Sequence, residues 1–346
     1  HKEYRRQRQM CIRDSMAGLL ILALGFAIRL VPNAAMLFIG MAIVGAAITI
    51  GNVLLPAFIK QRYPDHGGLL MGVYTVSLYA GPALASALTL PIARATGSWR
   101  IALLSWGVLV LFAAPLWLPQ VISARRPKNR VFQDATPHLP MNRLVRSRLA
   151  WAVTAYFAVL SMIFYTVNAW LPTMLIEQGR DADAGGQLLT VVNLVAIPFA
   201  LVVSILVHRA RSQVWATTIG SIGLGLGMAG LYFGPAGVGF AFAALFGIGH
   251  GTATGIAFSL AMLRTNSVAG TAALGGMSQT AGYLLSSLGP VSAGALHDVL
   301  GDLVSDAWAV VMVVLVAIVL VQLLAGFVAG RDRTLEDELN GNSSSK

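Results

Sequence analysis

Ten apolar runs, separated by short polar segments, fill most of the 346-residue chain. Each run is close to the roughly 20 residues that an α-helix needs to cross the hydrocarbon core of a bilayer. The runs are continuously apolar, whereas membrane β-strands alternate apolar and polar positions. The pattern therefore predicts membrane-spanning helices. They are residues 16–32, 34–59, 67–92, 101–122, 149–174, 186–207, 214–233, 237–262, 269–296 and 304–329.

The composition assigns these runs to a membrane protein and not to a soluble one. Hydrophobic residues make up 56% of the chain and charged residues 11%, whereas soluble domains carry about 25% charged residues. The single cysteine, Cys11, excludes a disulfide framework and a cysteine-based metal centre. We therefore expect an all-α integral membrane protein with no cofactor and no metal.

Lysine and arginine residues indicate how the chain is oriented in the membrane. If the N-terminus is cytoplasmic and the ten runs alternate, twenty of the 24 basic residues face the cytoplasm, as the positive-inside rule requires. The four on the opposite side are Arg29, Arg94, Arg100 and Arg180. The net charge of +10 thus comes from basic residues in the loops of a membrane protein. No nucleic-acid partner is therefore expected. We predict a multi-pass protein of the cytoplasmic (inner) membrane with both termini in the cytoplasm.

The spacing of the runs divides the chain into two parts of unequal size. Residues 16–122 hold four runs and residues 149–330 hold six, and the basic, proline-containing segment 123–148 joins them as a cytoplasmic linker. The tail, residues 331–346, is polar and predicts disorder in the cytoplasm. Residues 1–15 are unrelated to the runs, and we interpret them as non-native sequence or as a cytoplasmic N-terminal segment.

Internal similarity relates the two parts. When Gly81-Pro82 is placed on Gly289-Pro290, the third and ninth runs match at further Gly and Ala positions, and a nearby offset places Lys60 on Arg264. Small residues also match by chance where helices pack through Gly and Ala, so independent helices are the alternative. The preserved order of the matching runs favours a repeat. A repeat of six helices means that the first part lacks two helices at its start.

Several short segments recur in a characteristic order and spacing. They are 51–60 (GNVLLPAFIK), 72–74 (GVY), 98–100 (SWR), 169–172 (AWLP), 276–279 (GMSQ), 282–285 (GYLL), 288–290 (LGP) and 296–298 (LHD). Together, over residues 16–330, they resemble the cyanate/nitroimidazole-type (cyanate permease-like) family of the major facilitator superfamily. The resemblance implies a polytopic helical bundle of twelve spans, of which ten are seen here. It also implies a secondary transporter that works by alternating access.

Polar side chains form narrow stripes along several of the runs. Residues three or four apart share one face of a helix, and in such folds the solute site lies near the middle of the membrane. Amide and phenol groups on apolar helices suit a small polar or weakly anionic solute, while hydrogen bonding between helices is the alternative for each residue. The predicted solute path comprises Asn52, Tyr74, Tyr165, Asn168, Trp170, Asn193, His250, Gln279 and Tyr283.

His250 is the ionisable side chain that lies deepest within a predicted span. The family that the chain resembles is expected to have Gln at this position. An imidazole changes charge near neutral pH, so His250 can take a coupling proton or, when charged, donate to an anion. A neutral histidine that is hydrogen-bonded between helices is the alternative. The first interpretation makes a proton the coupling ion.

Two Gly-Pro pairs and two basic residues are candidates for the moving parts of a transporter. Gly81-Pro82, Gly289-Pro290 and Pro56 disturb regular helix hydrogen bonding, which predicts hinges, with close helix packing as the alternative. Lys60 and Arg264 stand near equivalent helix ends in the two parts. Anchoring at the lipid headgroups on the cytoplasmic side is their expected role, and cytoplasmic gating contacts are the alternative.

The predicted function is secondary active transport of a cyanate-like solute or another small nitrogen compound. An exporter of drugs or nitroaromatic compounds on the same fold is the alternative, and a non-transporting membrane sensor or receptor is a more distant one. Enzyme activity is not expected, because the H-x-x-x-x-D spacing in 297–302 arises readily by chance and no other catalytic motif accompanies it. The expected partners are the solute and the bilayer, and the protein is expected to be monomeric.

Overall fold

A computed structural model of the chain describes residues 18–125, 141–181 and 184–341. The predicted segment 1–15, the centre of the predicted linker and the last residues of the predicted tail lie outside the described residues. The described part is built from α-helices joined by short loops and two 3₁₀ turns, Pro64–His66 and Ala236–Val238.

Each of the ten predicted runs overlaps one apolar helix of the described chain. Six helices, namely α2, α6, α7, α8, α9 and α11, are long and apolar enough to cross a membrane by length and composition. The all-α membrane fold that the sequence predicts is thus confirmed. The helices are α1 Gly18–Ile28, α2 Ala34–Arg62, α3 Gly67–Thr96, α4 Trp99–Arg125, α5 Met141–Leu144, α6 Arg148–Glu177, α7 Ala184–Arg209, α8 Val214–Phe233, α9 Gly239–Leu263, α10 Val268–Gly301, α11 Ala307–Ala329 and α12 Leu335–Gly341.

The chain divides into two compact units. The first comprises His1–Phe58 and Gly81–Thr136, and the second comprises Ile59–Ala80 and Pro137–Lys346. The second unit therefore includes the beginning of α3 as well as the six-run part predicted from the sequence. The beginning of α3 belongs to the second unit because its glycines let it lie directly on α7. A Cβ added at Gly72 would lie 3.1 Å from Leu201 O, and one added at Gly68 would lie 3.2 Å from Ile205 Cα.

In the first unit, glycine positions bring α1 close to its neighbours. A Cβ added at Gly25 would contact side chains of α2, and one added at Gly107 of α4 would lie 3.3 Å from Phe26 of α1. The indole N–H of Trp106 on α4 donates to Thr89 Oγ1 on α3 over 3.0 Å. Small residues and one buried polar contact thus hold these helices together, as in other membrane bundles.

In the second unit, α9 packs between α7 and α8. Gly251 and Gly255, one turn apart on α9, face α7, and a Cβ added at Gly255 would lie 2.7 Å from Ala200 O. On the opposite side, a Cβ added at Gly223 of α8 would lie 3.0 Å from Gly249 Cα. Backbones therefore approach closely on both sides of α9. Helix α6 packs against α10 and α11, and α11 also packs against α8.

The segment that follows α11 is helical over Leu335–Gly341, where the sequence predicts disorder. Leu335 is buried and its backbone N–H donates to Arg264 O over 2.8 Å. The Thr334 hydroxyl accepts from the backbone N–H of Asp337 over 3.3 Å, which caps the short helix, and it donates to Asp337 Oδ2 over 2.6 Å. This hydrogen bond, with the backbone N–H of Thr334, lowers the pKa of Asp337. A buried leucine and a capped first turn therefore order a segment for which composition alone predicts disorder.

Two glutamates of α12 cap the N-termini of longer helices. Glu336 accepts from the backbone N–H of Asn266 over 3.0 Å, just before α10. Glu338 accepts from three donors at the start of α6. They are Ser147 Oγ at 2.9 Å, the N–H of Arg148 at 2.9 Å and the N–H of Leu149 at 3.1 Å. The first N–H groups of a helix have no partner within it, so Glu338 satisfies groups that α6 leaves open, whereas Glu336 binds the residue before the N-cap of α10.

Candidate transport site

His250 lies on α9 in the second unit, only 5% exposed, among aromatic rings. The ring of Phe164 on α6 stacks parallel to the imidazole, with centroids 4.3 Å apart and planes 2° apart. Tyr79 of α3 meets the imidazole edge-on at 5.7 Å, and Phe246 lies parallel to it at 6.1 Å. His250 Nδ1 has no hydrogen-bond partner among the described residues. The site thus contains a buried polar atom whose hydrogen bonding the described residues leave unsatisfied.

A second group of rings connects two of the predicted path residues. Tyr74 of α3 contacts Phe258 of α9 at 5.5 Å, Phe258 contacts Phe157 of α6 at 5.4 Å, and Phe157 contacts Tyr283 of α10 at 5.1 Å. All three contacts are edge-to-face, the geometry that the charge distribution of aromatic rings favours. Two phenylalanines thus connect Tyr74 and Tyr283, which the sequence names as candidates for the solute path.

The two groups of rings lie at two levels along the same three helices. Phe157 and Phe164 are seven residues apart on α6, and His250 and Phe258 are eight residues apart on α9, so the levels are separated by about 10–12 Å. We call the whole set the ring column. It comprises Tyr79, Phe164, Phe246 and His250 at one level and Tyr74, Phe157, Phe258 and Tyr283 at the other.

A few polar groups accompany the ring column. The Tyr79 hydroxyl donates to Thr254 Oγ1 over 2.8 Å. Gln279 is buried on α10, one turn before Tyr283. Most of the surface around the column is thus apolar, with hydroxyl, amide and imidazole groups at a few positions. Small-molecule sites in proteins commonly have this composition.

The two asparagines predicted in this unit use their amide donors within their own helices. Asn168 Nδ2 donates to Phe164 O over 2.8 Å, and Asn193 Nδ2 donates to Leu189 O over 2.8 Å. Each bond spans four residues of one helix, so neither amide links two helices through its N–H groups. Tyr165 contacts the ring of Phe164 at 5.6 Å and is 45% exposed.

Trp170 belongs to a different cluster from the ring column. Its indole N–H donates to Pro290 O over 2.8 Å, which ties the end of α6 to α10. Its ring lies 5.1 Å from Trp308, and Trp308 stacks on His297 at 4.1 Å. His297 Nε2 lies 3.5 Å from a carboxylate oxygen of Glu177. These residues join the ends of α6, α10 and α11.

The remaining path and hinge candidates are placed as follows. Asn52 and Pro56 are buried in α2 of the first unit, and α2 stays helical through Pro56. Helices α3 and α10 likewise continue through Gly81-Pro82 and Gly289-Pro290. A Cβ added at Gly289 would lie 2.6 Å from a side-chain oxygen of α6, whereas one added at Gly81 would meet nothing within 4 Å. Close helix packing, the alternative to a hinge, is therefore observed at Gly289 and not at Gly81.

Lys60 and Arg264 both donate to backbone groups at the C-terminal end of another helix. Lys60 Nζ donates to Met262 O over 2.9 Å and to the carbonyl oxygen of Thr265. Arg264 Nε donates to Ala329 O over 2.6 Å, and its guanidinium also donates to Gln213. Positive groups are favourable at this end of a helix dipole. The two residues that the proposed repeat pairs thus make similar contacts.

Arg264 is buried, and its charge persists at neutral pH. Burial disfavours the charged guanidinium and lowers its pKa to about 10, while the nearby Asp332 acts in the opposite direction. A pKa of about 10 leaves the group protonated at pH 7, so the hydrogen bonds to Ala329 and Gln213 involve a cation. Charged donors form stronger hydrogen bonds than neutral ones.

The sequence alone does not single out Tyr79 or the four phenylalanines of the ring column. Tyr79 lies five residues after Tyr74, so the two tyrosines do not share one face of α3. Phenylalanine is common in apolar helices, so Phe157, Phe164, Phe246 and Phe258 carry no signal of their own. The seven-residue spacing of Phe157 and Phe164 on one run is a pattern that relates two of them.

Comparisons with known proteins agree with this architecture. The model of the Major Facilitator Superfamily matches residues 15–290. The chain is 34% identical to an uncharacterized transporter, YycB, of Bacillus subtilis (strain 168), over 96% of this chain and 81% of that protein. It is 33% identical to the 2-nitroimidazole transporter of Escherichia coli (strain K12), over 93% and 80%, and 26% identical to the cyanate transport protein CynX of the same organism, over 86% and 76%.

Solved structures resemble the fold at low sequence identity. The fucose:proton symporter FucP of E. coli aligns with a TM-score of 0.65 and 13% identity, over 93% of this chain and 84% of that one. The proton:xylose symporter XylE, bound to a sugar analogue, aligns with a TM-score of 0.63 and 18% identity, over 97% and 83%. These likenesses concern the fold alone.

The chain belongs to the Major Facilitator Superfamily. Within that superfamily it is a transporter of the cyanate/nitroimidazole type, as the motifs in the sequence predicted. It is therefore a multi-pass membrane protein and a secondary transporter of small solutes, and it is not an enzyme.

Proposed function

We propose that the protein moves a small, flat, polar or weakly anionic solute, such as cyanate or a compact nitrogen heterocycle, across the cytoplasmic membrane. The observation that carries this proposal is the buried His250 with its Nδ1 unpaired beside the parallel ring of Phe164. A flat solute can lie against ring faces while one hydrogen bond to the imidazole orients it. The names of the nitroimidazole and cyanate relatives support the same solute class.

His250 is the group that we propose couples transport to a proton. The imidazole titrates near neutral pH in water, and the face of Phe164 can stabilise a cationic ring by cation–π attraction. The residue can therefore hold a proton for part of the transport cycle without an acidic partner. When protonated, it can also donate a hydrogen bond to a weakly anionic solute, so proton and solute binding support each other.

Alternating access of the solute site requires contacts that form and break at the ends of helices. The contact of Lys60 with the last carbonyls of α9 is our candidate for one of these, and Arg264 on Ala329 O is the related contact. The Gly-Pro pairs of α3 and α10 are the proposed bending points. The excess of basic residues in alternate loops supports cytoplasmic termini, and we propose that the protein acts as a monomer.

The test is uptake of radiolabelled cyanate and 2-nitroimidazole by cells and by everted membrane vesicles, measured from pH 5.5 to 8.5. Wild-type transport should change with pH, and His250→Gln should flatten that profile because Gln can hydrogen-bond but cannot titrate. His66→Gln is the matched control, since His66 lies exposed in the loop between α2 and α3. Its profile should equal that of the wild type.

The same measurements decide direction and contradict the proposal if it is wrong. Accumulation in cells indicates import, whereas accumulation in everted vesicles indicates the alternative, an exporter of nitroaromatic compounds. Unchanged pH dependence in His250→Gln would overturn the proton role. If neither labelled compound moved in either preparation, the proposed solute class would be wrong.

A further inference from the structure

Tyr79 lies where three helices of the second unit meet. Its ring is 5% exposed and packs against Ala196, Ile197 and Ala200 of α7. Its hydroxyl donates to Thr254 Oγ1 of α9 over 2.8 Å. Helix α3 therefore contacts α7 through an apolar ring and contacts α9 through one directional hydrogen bond.

That hydrogen bond ends one helical turn from His250. Thr254 follows His250 by four residues on α9, so the two side chains share one face of the helix. The Tyr79 ring also contacts the imidazole directly, edge-on, with centroids 5.7 Å apart. One tyrosine thus acts on the same turn of α9 through two groups: the hydroxyl fixes the rotation of the helix, and the ring contacts the imidazole.

Helix α7 contacts the same part of α9 through its backbone and through one hydrogen bond. Gly251 and Gly255 face the backbone of α7, where a Cβ added at Gly255 would lie 2.7 Å from Ala200 O. Ser204 Oγ of α7 donates to Gly255 O over 3.1 Å, and a hydrogen bond depends more on direction than van der Waals contact does. The hydrogen bond from Tyr79 to Thr254 adds a second directional contact, from α3, on the turn that follows His250.

Few ionisable groups face His250 from the helices packed around it. Helix α6 presents Phe164 and α3 presents Tyr79, while α7 and α8 pack against this turn of α9 through Ala196 and Leu224. Among the described residues in ring contact with the imidazole, Tyr79 is the one that carries a hydroxyl. Losing the hydrogen bond from this hydroxyl to α9 should therefore alter how His250 responds to pH.

We propose that Tyr79 is a positioning residue of the transport site. Together with Thr254 it holds the His250 turn of α9 in the orientation that binds solute and exchanges the proton. The proposal rests on the function proposed above for His250, through which Tyr79 acts.

Matched substitutions separate this role from general stability. Tyr79→Phe keeps the ring and removes the hydroxyl, and Thr254→Val removes its acceptor, whereas Thr254→Ser keeps that acceptor. Tyr232→Phe is the control, because it removes another tyrosine hydroxyl that donates to Asp306 over 2.6 Å elsewhere in the second unit. Protein yield and thermal stability are measured for every variant beside uptake of labelled 2-nitroimidazole and cyanate.

Tyr79→Phe and Thr254→Val should each raise the KM of uptake about fivefold, the factor that one ordinary hydrogen bond represents. Both should also shift the pH of half-maximal uptake. The double variant should show no further change, since both substitutions remove the same bond. Thr254→Ser should raise KM less than Thr254→Val does, because serine keeps the acceptor. Tyr232→Phe should lower thermal stability to a similar degree without changing KM or the pH profile.

The outcomes distinguish this inference from the proposed function. If His250→Gln alters KM and the pH profile while Tyr79→Phe alters neither, the positioning role is wrong and the role of His250 stands. If Tyr79→Phe has an effect and His250→Gln has none, Tyr79 does not act through His250, and both proposals are wrong. If Tyr79→Phe does not fold, Thr254→Val is compared with Thr254→Ser instead. Equal KM values and equal pH profiles for these two variants would show that the positioning role is wrong.

Discussion

Glu338 gives a stability prediction that is independent of transport. Its carboxylate accepts from the Ser147 hydroxyl and from the first two N–H groups of α6 over 2.9–3.1 Å. Glu338→Ala removes all three bonds and the negative charge near the positive end of the helix dipole. Ser147 keeps its own bond to the N–H of Ala150 at 3.0 Å, so one part of the cap survives.

The expected loss follows from these contacts. Removing an N-terminal cap costs about 0.5–2 kcal/mol, and an acidic group in the first turn of a helix adds about 0.3–1 kcal/mol. Glu338 is half-buried, so partial solvation limits the sum to about 1–3 kcal/mol. For a cooperative unit of about 200 residues this corresponds to a midpoint lower by about 3–8 °C. Glu338→Gln, which keeps one acceptor, should fall between wild type and Glu338→Ala.

The assay is thermal unfolding in detergent, followed by tryptophan fluorescence and by size-exclusion chromatography of heated samples. Asp302→Ala is the control, since it removes an equal charge from an exposed side chain. Ser147→Ala and Glu338→Ala share one hydrogen bond, so the double variant should lose less than the sum of the two. A midpoint for Glu338→Ala that equals that of Asp302→Ala would refute the capping role.

Two further substitutions test packing and charge at other helix contacts. Gly249→Val should destabilise the protein by about 1–3 kcal/mol or more, because the added side chain would overlap the backbone of α8. Its yield of monodisperse protein should fall well below that of Gly45→Val, where a Cβ meets nothing within 4 Å, and equal yields would contradict the close approach. Lys60→Met should lower the unfolding midpoint by the equivalent of about 1–2 kcal/mol, because it removes donors to Met262 and Thr265 at the end of α9. Lys60→Arg should recover most of that loss, and an unchanged midpoint in Lys60→Met would mean that the contact contributes no stability.

The sequence determined the helices and the class of protein. Hydrocarbon offers no hydrogen bonds to the backbone, so a long apolar run in a membrane has to form a helix. Helix number and position are therefore local properties, and each predicted run overlaps an observed helix. The short family motifs, such as 51–60 and 276–279, identified the transporter type for a related reason, because they lie within single helices.

The side-chain contacts of the candidate site depended on the tertiary structure. A stripe of polar residues shows which face of a helix is polar, and this was enough to select His250, Tyr74 and Tyr283. It did not show that Asn168 and Asn193 would donate to their own helices. It also gave no reason to choose among many phenylalanines, because a ring becomes informative only when another ring lies beside it.

The tail shows the same difference most clearly. By composition, residues 335–341 are polar and acidic, and composition predicts disorder for such a segment. In the fold, Glu338 bonds to Arg148, 190 residues away, and Glu336 bonds to Asn266, 70 residues away. The first partner is an N–H group that α6 leaves open at its start, and the second lies just before α10, so both are in place only once these helices have formed. The sequence alone could therefore determine the apolar helices, whereas long-range hydrogen bonds decided the order of the tail and the neighbours of His250.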